Sequence, residues 1–447
     1  MEAPSSRMPI RPGTNCVSRR TILRTLGGAA LGASLASPMF VTPLLAAPAN
    51  TVAGYTLAKD EEAFLDEMER RGCAFFWEHG HPSTGQVLDR ARFNGGETRR
   101  MASIAATGFG LTALCIADSR GYLPHADIVE RVRATMRFHW KVLPQHHGFF
   151  YHFSDAATGK TARGSELSSI DTSILLCGIL TCKAHFKDAE IEDLAGKIYE
   201  RVDWPWMLND GPTFSMGWFP GKGFIPARWD TYSEEMMLYL LAIGSPTHPV
   251  GPEYWSHFER PQVEFYGLKY ISNRAPLFIH QYSHAWYDFR RKRDSYADYF
   301  ANSIIATRAH KLFCLSMKEW YSQDYWGITA SDYVHGYTAW GGPPAMGPID
   351  GSVVPAAAGG SLAFLPGNCL HVLMAMKKKY GEKAWGEYGF VDAFNPGLPW
   401  YDPDVLGIDL GIGVLMAENL RSGFVWDTFM RNPEASAAMS KCGFRAV

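Results

Sequence analysis

The feature that most restricts how this chain can fold is an alternation between two kinds of helical pattern. Residues 102–119 and 168–184 are nearly continuous runs of apolar and small side chains. A helix of that composition must be covered on more than one side. Between and around them lie amphipathic stretches at residues 60–71, 128–142 and 191–202, with apolar positions recurring at helical spacing. Further helices are expected at about 234–243, 295–315, 361–379 and 405–420, and nearly every junction carries Gly, Pro, Trp or Tyr. Enclosed helices alternating with surface helices predict two concentric rings, an all-α (α/α) toroid whose working loops meet at one end. There is no strand–helix alternation and no GxGxxG, which argues against a nucleotide-binding sheet.

Residues 1–47 are set apart from the fold. Ser18-Arg19-Arg20-Thr21-Ile22-Leu23-Arg24 resembles a twin-arginine export signal, and a weakly apolar run of Gly, Ala and Leu leads to a small-residue cleavage site near Ala47. Pro38 and Pro43 interrupt that run, so it does not supply the roughly 20 apolar residues of a membrane span. The expectation is export by the twin-arginine route to the periplasm or beyond, with no stable membrane insertion of the mature chain. Residues 48–447 then form one domain, acting as a monomer.

Removing five arginines and one glutamate with the signal takes the formal net charge from −2 to −6. That balance argues against nucleic acid or an anionic lipid surface as partner. Seven cysteines remain without metal-ligand spacing, and Cys177 and Cys182 read as small apolar residues of one helix. Aromatics make up 13% of the chain, including 14 Trp, more than packing alone asks for.

Residues 218–249 concentrate these signals. Gly, Pro and aromatic residues lead to Glu234 and Glu235, placed in the first turn of an apolar helix that ends at Gly244-Ser245-Pro246. First-turn carboxylates are favoured by the helix dipole alone. Here, however, Trp218, Trp229 and Tyr232 crowd around Asp230 and Glu234, and aromatic platforms beside carboxylates suit a sugar-cleaving cleft. Met237, Leu238, Leu241 and Ala242 fall on the expected buried side.

Other loops repeat the theme. Asp89 and Arg90 are either a surface ion pair or a recognition pair for sugar hydroxyls. Glu166 and Asp171 flank the start of the 168–184 helix, where both could reach one pocket, and a buried carboxylate such as Asp171 requires a partner or a role. His284, Trp286 and Asp288 lack the spacing of a metal site. Asp288 and Asp294 are expected to pair with the arginines of a solvated 290–293 loop. The stretch through Tyr337 and Trp340 reads as an exposed aromatic loop, which is costly unless it binds something. Trp400 and Asp409 stand before the last apolar helix, and Asp409 is again an acid at the mouth of a buried helix.

Taken in order, SSIDT, RWDTYSEEMMLYLLAIGSPTHP, QYSHAWYDFR, ADYFANSIIATRAH, WGITASD, WGGPP, GFVDAFNP and GIDLG resemble the bacterial glucoamylase-like domain family, glycoside hydrolase family 144 and its relatives, over roughly residues 60–430. The resemblance implies an (α/α)6 barrel hydrolysing β-1,2-glucan, endo-acting or sophorose-releasing, by inversion and without a cofactor or metal. It implies Glu234 as general acid, with Glu235 the competing choice, and Glu166 and Asp171 as acids of the same pocket. Asp89, Arg90, Trp218, Trp229, Asp230, Tyr232, His284, Trp286, Tyr337, Trp340, Trp400 and Asp409 become candidates for sugar contact. Two rival readings are a polysaccharide lyase, with Tyr232, Tyr282 or His284 as base, and a non-catalytic glycan-binding protein.

Overall fold

The computed structural model describes residues 54–274 and 276–447, so the export signal expected at residues 1–47 lies outside the described residues. The predicted helices are present, their ends shifted by up to five residues except the first, which runs on to Glu78 instead of ending near residue 71, and four short helices that were not expected join them. In chain order they are α1 (Lys59–Glu78), α2 (Ile104–Arg120), α3 (His125–Lys141), α4 (Ser169–His185), α5 (Ala189–Glu200), α6 (Trp204–Leu208), α7 (Met236–Gly244), α8 (Tyr299–Ser316), α9 (Pro355–Gly359), α10 (Pro366–Tyr380), α11 (Gly407–Arg421), α12 (Phe424–Phe429) and α13 (Pro433–Lys441). Short strands of two to four residues decorate the loops as small antiparallel pairings.

The helices close an (α/α)6 barrel. The inner ring runs α2, α4, α7, the 3-10 turns Leu277–His280 and Tyr282–Ala285, α9 and α11, and α11 returns to pack on α2. Where the ring lacks a long helix, side chains bridge it. Ser283 Oγ accepts from Met237 N at 3.0 Å, and Gln281 Nε2 donates to the Ala357 carbonyl at 3.0 Å. The outer ring consists of α1, α3, α5, α13, α8 and α10, each packed against its inner neighbours. Among the described residues, no helix is long and apolar enough to cross a membrane.

Two details explain why these residues form these elements. Inner helices α2 and α4 touch backbone to backbone: a Cβ on Gly178 would collide with the Gly108 carbonyl, and one on Gly108 with the Ile174 carbonyl. Glycine is therefore required at both positions by close approach, not by φ. Helix α7 is buried along its whole length, so the single buried side expected from Met237, Leu238, Leu241 and Ala242 is corrected. The far side of α7 is covered by α13, which arrives from the C-terminus.

The aromatic stretch after residue 326 also differs from expectation. Trp326 and Trp340 are fully buried, and Trp340 Nε1 donates to Ser331 Oγ at 3.0 Å. These rings satisfy their N–H groups or pack in the core, so the loop is not an exposed aromatic surface. Asp288 does pair with Arg290, at 2.9 Å, but Asp294 is a buried acceptor for Trp255, Tyr299 and two backbone amides.

Candidate active site

The three long inner helices begin in the same way, and this sets where the acids go. Strands Met101–Ser103, Leu167–Ser168 and Asp404–Leu406 lead directly into α2, α4 and α11. Ser168 is the N-cap of α4, its Oγ accepting from the Asp171 amide at 3.0 Å while its hydroxyl meets the Asp171 carboxylate. Asp171 and Asp409 are each the third residue of their helix, so both carboxylates sit in the first turn, at the positive end of the helix dipole.

Glu166 stands one residue before the strand that enters α4. The structure brings it to Asp171 through a residue the sequence did not single out: His152 Nδ1 lies 3.3 Å from Glu166 Oε1 and 3.4 Å from Asp171 Oδ2. All three side chains are buried, and the His152 ring stacks on Phe153 with centroids 3.7 Å apart.

Glu234 is not in the first turn of its helix. It occupies the turn before α7, and Glu235 is the N-cap. The Ser233 hydroxyl meets the Glu234 carboxylate, and Ser283 Oγ donates to the Glu234 carbonyl at 2.7 Å. The neighbouring Tyr282 hydroxyl lies 3.5 Å from Asp409 Oδ1. Two consecutive residues of the inner ring thus reach from Glu234 to Asp409. On the other flank, Trp229 Nε1 donates to Ser169 Oγ at 2.9 Å, joining the approach to Glu234 with the start of α4. Glu166, Asp171, Glu234 and Asp409 are gathered at one end of the barrel.

Glu235 is fully buried, which corrects its reading as a solvated first-turn acid. Burial pushes its carboxyl well above the ordinary range, and the Glu234 charge adds to that. Trp229, Tyr232, His284, Trp286 and Trp340 are also enclosed, so their faces build the walls and do not offer a surface to a sugar. Trp286 Nε1 bonds Thr112 Oγ1 at 3.0 Å, and Tyr232 Oη lies 3.1 Å from His280 Nδ1. His284 Nε2 lies 3.1 Å from Ser303 Oγ, and burial with the neighbouring His280 lowers its pKa to about 3. Asp230 is exposed.

Half-buried aromatics remain at the mouth. Trp218 pairs in register with Leu167, beside Glu166, and its ring meets Trp206 at 5.8 Å and His146 at 4.9 Å. Trp206, in the short helix α6, and His146 were not anticipated, because they meet Trp218 only through the fold. Tyr337 and Trp400 are half-buried on separate hairpins. Asp89 and Arg90 are an ion pair at 3.1 Å, extended by an Arg90–Asp332 contact, and are largely buried instead of lying free on the surface. Among the described residues, two groups offer three ligand atoms close enough for a metal: His152, Glu166 and Asp171, and Asp332, Asp402 and Asp404. Each is assembled from distant segments, which is why no local spacing announced it.

This (α/α)6 fold is shared with solved structures named as putative glucoamylases. Residues 226–433 match the model of the Glycoamylase family, described as "Putative glucoamylase". Over 435 residues, 88% of the chain is 28% identical to an exo β-1,2-glucooligosaccharide sophorohydrolase (non-reducing end) of Parabacteroides distasonis; the chain spans 59% of that relative's length. The endo-β-1,2-glucanase of Chitinophaga pinensis, solved with sophorotriose and glucose, superposes with a TM-score of 0.79 at 27% identity, covering 88% of this chain and 99% of that one. An endo-β-1,2-glucanase of Talaromyces funiculosus shares the fold alone, with a TM-score of 0.65 at 11% identity over 88% of this chain and 91% of that one.

Proposed function

We propose that the chain is a glycoside hydrolase of β-1,2-glucan that acts by inversion, with Glu234 as general acid. The observation that carries the reading is the gathering of Glu234, Asp409 and the Glu166–Asp171 pair at one end of the inner ring, in a chain similar over most of its length to proteins named for β-1,2-glucan. In such a reaction one protonated carboxyl donates to the leaving oxygen while a carboxylate activates water on the opposite face. An acid that must hold its proton near neutral pH belongs among buried apolar groups, and Trp229 and Met236 supply them on either side of Glu234 in sequence. Glu166 and Asp171, with Asp409 at the same end of the ring, are the candidates for the carboxylate that activates the water. Trp218, Tyr337 and Trp400 remain the aromatic contacts for sugar rings.

The lyase reading finds less support, because Tyr232 and His284 are enclosed and bonded within the walls. Incubation with β-1,2-glucan, with other β-glucans and α-glucans as controls, tests the assignment. Saturated β-1,2-linked products with inverted anomeric configuration are expected. Products absorbing in the ultraviolet would return the lyase, and binding without cleavage would leave a glycan-binding protein.

Residues 1–47 direct export by the twin-arginine route in this reading, which puts the enzyme where extracellular glycan is found. Replacing Arg19 and Arg20 with lysine should strand the precursor in the cytoplasm; normal export of that variant would point to the general secretory route.

A further inference from the structure

Beside Asp409 lies a second group of acids that the hydrolytic reading does not use. Asp89, Asp332, Asp392, Asp402 and Asp404 are all buried. They come from the start of the strand Arg90–Arg92, the strand Ser331–Tyr333 and the segments around the Phe394–Asn395 and Trp400–Tyr401 hairpin. Backbone bonds fix them to one another. Asp332 N donates to Asp392 Oδ2 at 2.8 Å, Asp404 N to Asp402 Oδ1 at 3.0 Å, and Gly407 N to the Asp89 carbonyl at 2.9 Å.

The cations present do not balance this charge. Arg90 serves Asp89 and Asp332. Arg99 is shared between Glu97 and Asp404, with bonds of 2.7 and 2.8 Å to the latter, and half-exposed Arg92 stands 3.8 Å from Asp404. Asp392 and Asp402 have no ion-pair partner among the described residues. One oxygen each of Asp332, Asp392 and Asp402 (Oδ1, Oδ1 and Oδ2) accepts no hydrogen bond and is closed to solvent. Carboxylates buried together in this way must either hold protons or be joined by a positive partner.

We propose that Asp332, Asp402 and Asp404, with Asp392 beside them, bind one hard divalent cation with the chemistry of calcium. Carboxylate oxygens of Asp332, Asp402 and Asp404 already lie within 4.8 Å of one another, and Asp392 is bonded to the Asp332 backbone. Arg90 takes the outer oxygen of Asp332 and leaves Oδ1 for the ion. Calcium accepts six to eight oxygens in irregular geometry, whereas magnesium demands a near-ideal octahedron and sheds water reluctantly, so a closed acid cage favours calcium. A sugar hydroxyl is the alternative partner, but it would satisfy an oxygen without bringing charge to offset the cluster. The ion would pin the segment 402–404 that runs into α11, and so hold Asp409 at the mouth of the barrel.

The test uses the intact chain stripped with EGTA and dialysed. Calcium should return at about one ion per chain by elemental analysis. Saturating calcium should raise Tm by roughly 2–5 °C, as expected of a ligand near 100 times its Kd acting on a large domain, and magnesium should do less. Asp402→Asn and Asp392→Asn should each take up less calcium and lose the Tm response. The wild-type ion count needs no variant: no bound calcium, with equal Tm in calcium and EGTA, overturns the proposal. So does protection of the wild type by β-1,2-gluco-oligosaccharide, lost in Asp402→Asn without any calcium uptake, which would make the cluster a hydroxyl-binding site.

Discussion

Glu234 and Glu235 are adjacent in sequence and both buried, yet their surroundings assign them different work. Glu234 is held in a turn by Ser233 and Ser283, at the end of the barrel where Asp409 and Glu166 lie. Glu235 stands at the N-cap position of α7 inside the wall, and burial raises its pKa well above the ordinary range. A neutral amide is therefore a fair copy of Glu235 but not of an acid that must give up a proton. Glu234→Gln should lower turnover on β-1,2-glucan by about 10²–10⁴-fold with normal folding, and Glu235→Gln should keep most of it. Initial rates and circular dichroism of the two variants check this, and an active Glu234→Gln enzyme would remove the assignment. The two acids were distinguishable in sequence only through the family element; their burial was not legible, because a first-turn acid usually faces water.

Among the helices, α2 and α4 meet so closely that a single methyl group matters. Alanine favours a helix over glycine by about 1 kcal/mol, so Gly178→Ala would stabilise an isolated helix. In the barrel the added methyl strikes the Gly108 carbonyl, and forcing an atom into a packed contact costs about 1–3 kcal/mol. Backbone cannot step aside as a side chain can, so the penalty should win and leave the variant less stable by about 1 kcal/mol. Chemical denaturation measures the difference, and an unchanged or raised midpoint would show that α2 and α4 can separate at little cost. The same contact governs the site, since α4 carries Ser168, Asp171 and the strand beside Glu166.

For the molecule as a whole, the buried titratable groups predict how stability depends on pH. His139 and His310 are lowered to about 4, and His280 and His284 to about 3, by burial. The folded state holds them neutral while the unfolded chain takes up protons below about pH 6.5, so stability falls as pH drops from there toward 3–4. On the other side, burial and Asp332 push Asp402 up to about 8, and burial raises Asp392 and Glu235 well above the usual range. An acid raised in the folded state contributes stability that is complete below its unfolded pKa and lost as pH rises through the folded one. Tm measured in EGTA should therefore peak near pH 6–7 and decline on both flanks. A Tm rising steadily to pH 9 would mean that Asp392 and Asp402 do not hold protons in the ion-free fold.

Everything that depends on neighbours along the chain could be read before the fold was known. The period of apolar residues placed the long helices, the run 168–184 located α4 to within a residue, and the alternation of enclosed and amphipathic segments implied two rings. The grouping of Glu166 with Asp171, five residues apart at one helix end, was legible for the same reason. Contacts between distant segments settled the rest. His152 joins those two acids from 14 and 19 residues away in a loop without a motif. Asp332 meets Asp392 and Asp402, which flank one hairpin, only when segments far apart in the chain fold together. The sequence could not say which tryptophans face sugar and which pack, because one flat apolar ring serves both purposes and only its neighbours decide. Helix α7 makes the same point: its own period predicts one buried side, and it is buried all round because α13, from the far end of the chain, covers what would otherwise be its solvent face.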